Sequence, residues 1–123
     1  MTNSQVARLE RALTKNLSPD LLTPAWRKSS TGPLSGHCYV ASEAAWHLLG
    51  AMDSPWRPYV GRVGDVTHWW LQDGDTVLDI TLGQFPQGFN HSLGHKCGFL
   101  TREPSKRARI LIERSGLRPQ HSK

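Results

Sequence analysis

Residues 68–79 read HWWLQDGDTVLD. Asp73-Gly74 lies between two runs of strand-forming residues. An Asp-Gly step in that setting is the strongest short-range hairpin signal, because tight hairpin turns need the positive φ that glycine tolerates. With Asp73 and Gly74 as the two turn residues, Gln72 faces Asp75. Counting back four residues on each strand then sets His68 opposite Asp79. Side chains directly opposite share one face, with Cβ atoms roughly 4.5–5.5 Å apart. A carboxylate is therefore expected within reach of an imidazole, where it can fix the tautomer and stabilise the imidazolium. A longer, bulged turn would shift this register. The plain alternative is a His–Asp pair that only stabilises the sheet.

Strands are expected over about 58–63, 67–72 and 76–81. Upstream, GHCYVASEAAWHLLG (residues 36–50) predicts a helix over 38–50, with Ala41, Ala44, Ala45, Leu48 and Leu49 at helical spacing and Gly50 as its stop. An earlier helix over about 5–16, capped by Ser4, carries Val6, Leu9, Leu13 and Leu17 on one stripe. Arg8, Arg11 and Lys15 lie on its other side. Residues 18–36 are rich in Pro, Ser, Thr and Gly and read as an irregular approach, with one short helical turn at Pro19–Leu22 and Trp26 as an anchor. Residues 86–98 read as a Gly-rich loop. The last helix is expected from Pro104 to Ser115, with Gly116 beyond it. This order predicts an α+β fold, N-terminal helices packed on a small antiparallel sheet, in a single domain over 1–123.

The composition fits one domain: 123 residues, of which 37% are hydrophobic, with five Trp to enlarge a modest core. No apolar run reaches the roughly 18 residues of a membrane span, and the N-terminus lacks a signal-peptide apolar segment, so a cytoplasmic protein is expected. The two cysteines, Cys38 and Cys97, then read as thiols, packed or reactive. Arg102, Lys106, Arg107, Arg109, Arg114, Arg118 and Lys123, against Glu103 and Glu113, carry the whole net charge of +5. A basic segment over 102–123 suits nucleic acid or an acidic protein partner. A solvated helix face is the plainer explanation and carries more weight.

Cys38 opens its helix. There a thiol meets the positive end of the helix dipole and free backbone N–H groups, both of which favour the thiolate, the nucleophilic form. The same N–H groups can stabilise an oxyanion, and Gly36 allows a substrate backbone to approach. The competing reading is a core cysteine, since positions 38, 41, 45 and 48 share one stripe. In order the chain presents a Cys at a helix start, a His on one strand and an Asp on the next: Cys38, His68 and Asp79. His37 faces either solvent or the cleft. Trp69 and Trp70 point to opposite faces; Trp70 shares that of His68, as cleft wall or core. Glu43 falls off the core stripe and is expected in solvent.

These residues resemble the transglutaminase-like and arylamine N-acetyltransferase branch of the papain-like cysteine enzymes. More narrowly, Gly36-His37-Cys38 with Val40, then Thr67-His68-Trp69-Trp70, then Leu78-Asp79-Ile80-Thr81 with Gln84-Phe85, is similar to small bacterial and phage proteins that include the YunG-like family. The likeness covers about residues 36–85. Pro104-Ser105-Lys106-Arg107-Ala108 also looks like the ending of phage-type members. The resemblance implies a papain-like core with Cys38, His68 and Asp79 as the catalytic set. Gln84 would orient substrate or cap the exit from the strand. This chain has Asp79-Ile80-Thr81 where the family has Asp-Leu-Thr. The implied activity is a cysteine-dependent hydrolase or acyltransferase acting on an amide, ester or thioester carbonyl, with a protein or peptide among the candidate substrates and no cofactor.

Two other readings compete. His37-Cys38 and His91-x-x-x-His95-x-Cys97 supply five zinc-type ligands, but without a Cys-x-x-Cys pair. A catalytically inactive binding module would instead use the basic segment around Lys106-Arg107-x-Arg109.

Overall fold

The computed structural model describes residues 3–17, 37–63, 66–82, 89–98 and 103–118. The expected turn at Pro19–Leu22, together with Trp26, Gly36 and Gln84, lies outside the described residues. The described chain is α+β: helices α1 (Asn3–Lys15), α2 (Cys38–Leu49) and α3 (Lys106–Ser115), and strands β1 (Arg57–Val63), β2 (Val66–Asp73), β3 (Thr76–Leu78) and β4 (His95–Lys96). The strands form one antiparallel sheet in the order β3-β2-β1-β4. No helix among the described residues is long and apolar enough to cross a membrane.

The helix α2 is the centre of the fold. It touches α1, α3, β1 and β2. Its small residues Ala41, Ala44 and Ala45 are fully buried, which lets the neighbouring elements approach closely. Leu9 and Leu13 of α1, Leu71 and Leu78 of the sheet, and Ala108 and Leu111 of α3 complete the same core. Gly50 ends α2 with φ 114°, a left-handed conformation that glycine adopts without a Cβ penalty.

Because α2 packs against α1, α3, β1 and β2, Glu43 is not in solvent as its position off the core stripe suggests; it is fully buried. Its carboxylate accepts the Ser105 backbone N–H at 2.7 Å and the Ser105 hydroxyl at 2.8 Å. Ser105 in turn caps α3, its Oγ accepting from the Ala108 N–H at 3.3 Å. The helix therefore starts at Lys106, after this cap, rather than at Pro104. A buried carboxylate at a helix N-terminus is stabilised by the dipole and by the N–H it accepts.

One turn later on α2, His47 is half-buried, and its Nε2 has no hydrogen-bond partner among the described residues. Burial lowers its pKa from the ordinary 6.5; Arg109 adds to this, while Glu43 and Glu103 oppose it. A depressed histidine pKa means that the unfolded chain takes up the proton first as pH falls. Its contribution to stability is therefore complete above about 6.5 and is lost as pH falls through the lower folded value. His47→Gln is expected to lose less stability than the parent between pH 7.5 and 5, measured by denaturant unfolding at each pH. An equal loss in both proteins would contradict this.

The hairpin differs in register from the sequence expectation. Asp73 pairs with Thr76, Gln72 with Val77 and Leu71 with Leu78, so the turn residues are Gly74 and Asp75, with Gly74 at φ 59°. The strand β3 stops at Leu78, short of the expected residue 81. The expected loop over 86–98 also contains structure: a 3-10 turn at His91–Leu93 and β4, which pairs with β1.

The sheet has two unlike faces. Leu71, Leu78 and Ile80 join the helical core, whereas His68 and Trp70 point to the other face. There the segment 89–98 covers them. Trp70 is fully buried, with its ring between Gly61 and Gly94: a Cβ at Gly94 would sit 2.3 Å from the indole, and one at Gly61 2.9 Å. Both positions need glycine for space. Gly94→Ala is expected to cost about 1–3 kcal/mol by overpacking, read as a lower denaturation midpoint with an unchanged slope. An unchanged midpoint would mean that Trp70 does not fill this gap.

Candidate functional site

The second face of the sheet carries the polar cluster. His68 projects from β2 and is fully buried. Its Nε2 lies 2.7 Å from Asp79 Oδ2, the contact expected from the sequence. The route to it is different. The observed register is displaced by two residues from the expected one, and β3 has already ended when the chain reaches Asp79. A displacement of one residue would have turned the carboxylate to the helical face; a displacement of two keeps it on the His68 face. Asp79 thus meets His68 diagonally, from the turn that follows β3.

A third residue joins them. His91 Nε2 lies 2.7 Å from the same oxygen, Asp79 Oδ2. His91 heads the 3-10 turn, which Asn90 caps by accepting from the Ser92 N–H at 3.1 Å and the Ser92 hydroxyl at 2.6 Å. That cap aims the ring inward. The Asp79 side chain is 2% exposed and that of His91 20%, so the cluster opens to solvent on the His91 side. Aromatic rings hold it in place: His68 stacks on Trp70 with centroids 5.7 Å apart and meets Phe89 at 4.9 Å, and Trp70 meets His91 edge-on at 4.8 Å. Asp79 Oδ1 and Thr81 Oγ are buried without a hydrogen-bond partner among the described residues.

Cys38 begins α2 and packs against β2 where β3 no longer pairs with it. Its thiol donates to the Thr67 carbonyl at 3.8 Å, one residue before His68. The backbone N–H groups of Trp69 and Tyr39 also reach the sulfur. Cys38 therefore straddles the backbone of His68. Tyr39 and Trp69 pack edge-on beside it at 4.8 Å. The electrostatics depart from the sequence expectation. Burial pushes the thiol up, and the negative charge of Asp79 adds to this; the N–H groups of Trp69, Tyr39 and Cys38 itself pull it down without winning. The helix start supplies the expected N–H groups, but the loss of water outweighs them.

Other candidates fall elsewhere. His37 is buried, at 1% exposed, and does not line an open surface. Trp70 is the packing centre of the second face rather than a cleft wall. Of the loop ligands, His95 lies on β4 opposite Val60, and Cys97 turns to the Pro58 carbonyl at 3.7 Å. Both cysteines are free thiols. Among the described residues, the group of three or more ligating side chains is His68, Asp79 and His91, with ligand atoms within 4.8 Å of one another. His91 as a partner of Asp79 was not legible from spacing; the Asn-x-Ser cap around it is the local signal of a fixed turn.

No family model matches the chain, and no curated protein and no solved structure matches it.

Proposed function

We propose that the protein is a cysteine-dependent hydrolase or acyltransferase of papain-like, transglutaminase-like type, related to the YunG-like proteins. The observation that carries this reading is the pairing of His68 Nε2 with Asp79 while the Cys38 sulfur rests on the backbone on either side of His68. Asp79 engages Nε2, so Nδ1 is the ring atom that serves the thiol. With the thiol pushed up by burial, Cys38 rests with its proton in place. His68 takes the proton as attack begins, by general-base catalysis. For this the S–H turns from the Thr67 carbonyl to the ring. The Cys38 sulfur bonds to an amide, ester or thioester carbonyl carbon, whose oxygen takes the negative charge near the N–H groups at the start of α2. Collapse expels the amine, alcohol or thiol, which leaves with the proton from His68. Water or an amine then releases the acyl group and regenerates the thiol.

A second reading, an inactive binding module, has one observation in its favour: Lys106, Arg107, Arg109 and Arg114 are exposed on α3. The same surface would serve an enzyme by recruiting an acidic substrate or nucleic acid. The readings separate on Cys38, whose reactivity matters only to the first. The test is alkylation of Cys38 in a Cys97→Ser background, with and without His68. Dependence on His68 supports the enzyme; indifference to His68 favours the binding module.

A further inference from the structure

The acyl-transfer reading uses His68 and Asp79 and leaves His91 without a role. Yet His91 shares Asp79 Oδ2 with His68 at the same 2.7 Å. We propose that His68, Asp79 and His91 form a binding site for one divalent ion of zinc type, and that occupation of this site switches off the Cys38 chemistry.

Three segments distant in sequence supply the ligands: β2, the turn after β3, and the 3-10 turn at His91–Leu93. Each histidine presents Nε2, and all three ligand atoms lie within 4.8 Å. Two imidazoles and one carboxylate are the ligand set of open zinc sites, in which a fourth position remains for water. An independent observation points the same way. Asp79 Oδ1 is buried and has no partner among the described residues, while the whole side chain is 2% exposed. A carboxylate so enclosed is costly unless a further positive group reaches it. The fit needs little movement. The contacts of 2.7 Å open to roughly 3.3 Å around an ion held at about 2.0–2.1 Å. Trp70 and Phe89 keep the rings oriented, and the part-exposed edge of His91 is the way in.

The charge and proton balance is simple. The ion replaces the two Nε2–H donors on Asp79, each neutral ring then carries its proton on Nδ1, and Asp79 contributes one negative charge. The inhibitory half of the proposal rests on the acyl-transfer reading: with Nδ1 protonated, His68 has no lone pair for the Cys38 proton. The binding half does not depend on that reading.

The test uses the full chain, stripped with a chelator and titrated with Zn²⁺ against a competing indicator. One zinc per chain is expected, at least about tenfold weaker in His91→Ala and in His91→Gln, and unchanged in Cys38→Ser, Cys97→Ser and His95→Ala. In the unmodified protein Co²⁺ should give visible ligand-field bands without a sulfur-to-metal charge-transfer band, which reads the ligand set without relying on any variant. Zinc should also slow Cys38 alkylation. Absence of stoichiometric zinc, or a site lost with either cysteine and kept without His91, overturns the proposal. Zinc that binds through His91 but leaves alkylation unchanged overturns the inhibitory half. Binding in a protein whose alkylation ignores His68 keeps the metal site and removes the acyl-transfer reading.

Discussion

Asp79→Ala is expected to be the most destabilising truncation in the polar cluster. It removes one carboxylate oxygen that accepts from two imidazoles, one of them fully buried. Each buried N–H left without an acceptor costs about 1–3 kcal/mol, against a total stability of about 5–15 kcal/mol for a domain. At this chain length that corresponds to roughly 3–6 °C in melting temperature for each kcal/mol. Asp79→Asn retains a carbonyl oxygen and is expected to lose clearly less. The check is denaturant unfolding of both variants beside the parent. If the alanine variant is as stable as the parent, the two histidines do not depend on Asp79, and the cluster is not built as described.

The largest effect on reactivity is expected from His68→Gln. On the proposed reading, attack by Cys38 on a small electrophile is assisted by His68, which takes the thiol proton. General-base assistance of this kind contributes about 10²–10⁴-fold. Glutamine can still donate to Asp79 from its amide but cannot accept a proton at neutral pH. The rate of Cys38 modification at pH 7 should therefore fall by about two orders of magnitude or more while the fold persists. Burial alone would give a different result. A thiol pushed up only by loss of water reacts slowly in both proteins, and the substitution leaves its rate unchanged.

How much of this was legible in the sequence depends on the range of the interactions. Local periodicity located the three helices of the described residues and the hairpin, because Leu9 and Leu13, the alanines of α2, and the Asp-Gly turn express short-range rules. The His68–Asp79 contact was legible for a subtler reason. The turn was misplaced by one position, which displaced the register by two, and face parity survives an even displacement. What stayed hidden depended on distant segments. Glu43 is buried because Ser105, 62 residues away, needs an acceptor at the start of α3. His91 reaches Asp79 only because β4 docks on β1 and carries the preceding turn across Trp70. The Cys38 thiol was misjudged electrostatically: the dipole at a helix start can be read from sequence, whereas the desolvation that outweighs it is set by packing.

The central claim is that the His68–Asp79 pair serves Cys38, and the pH profile of Cys38 alkylation tests it most directly. The measurement compares Cys97→Ser with the same protein carrying His68→Gln. The account predicts faster modification at neutral pH with His68 than without it, the difference closing once the pH is high enough to ionise the thiol in both proteins. A single rise above about pH 9, the same in both proteins, would contradict it.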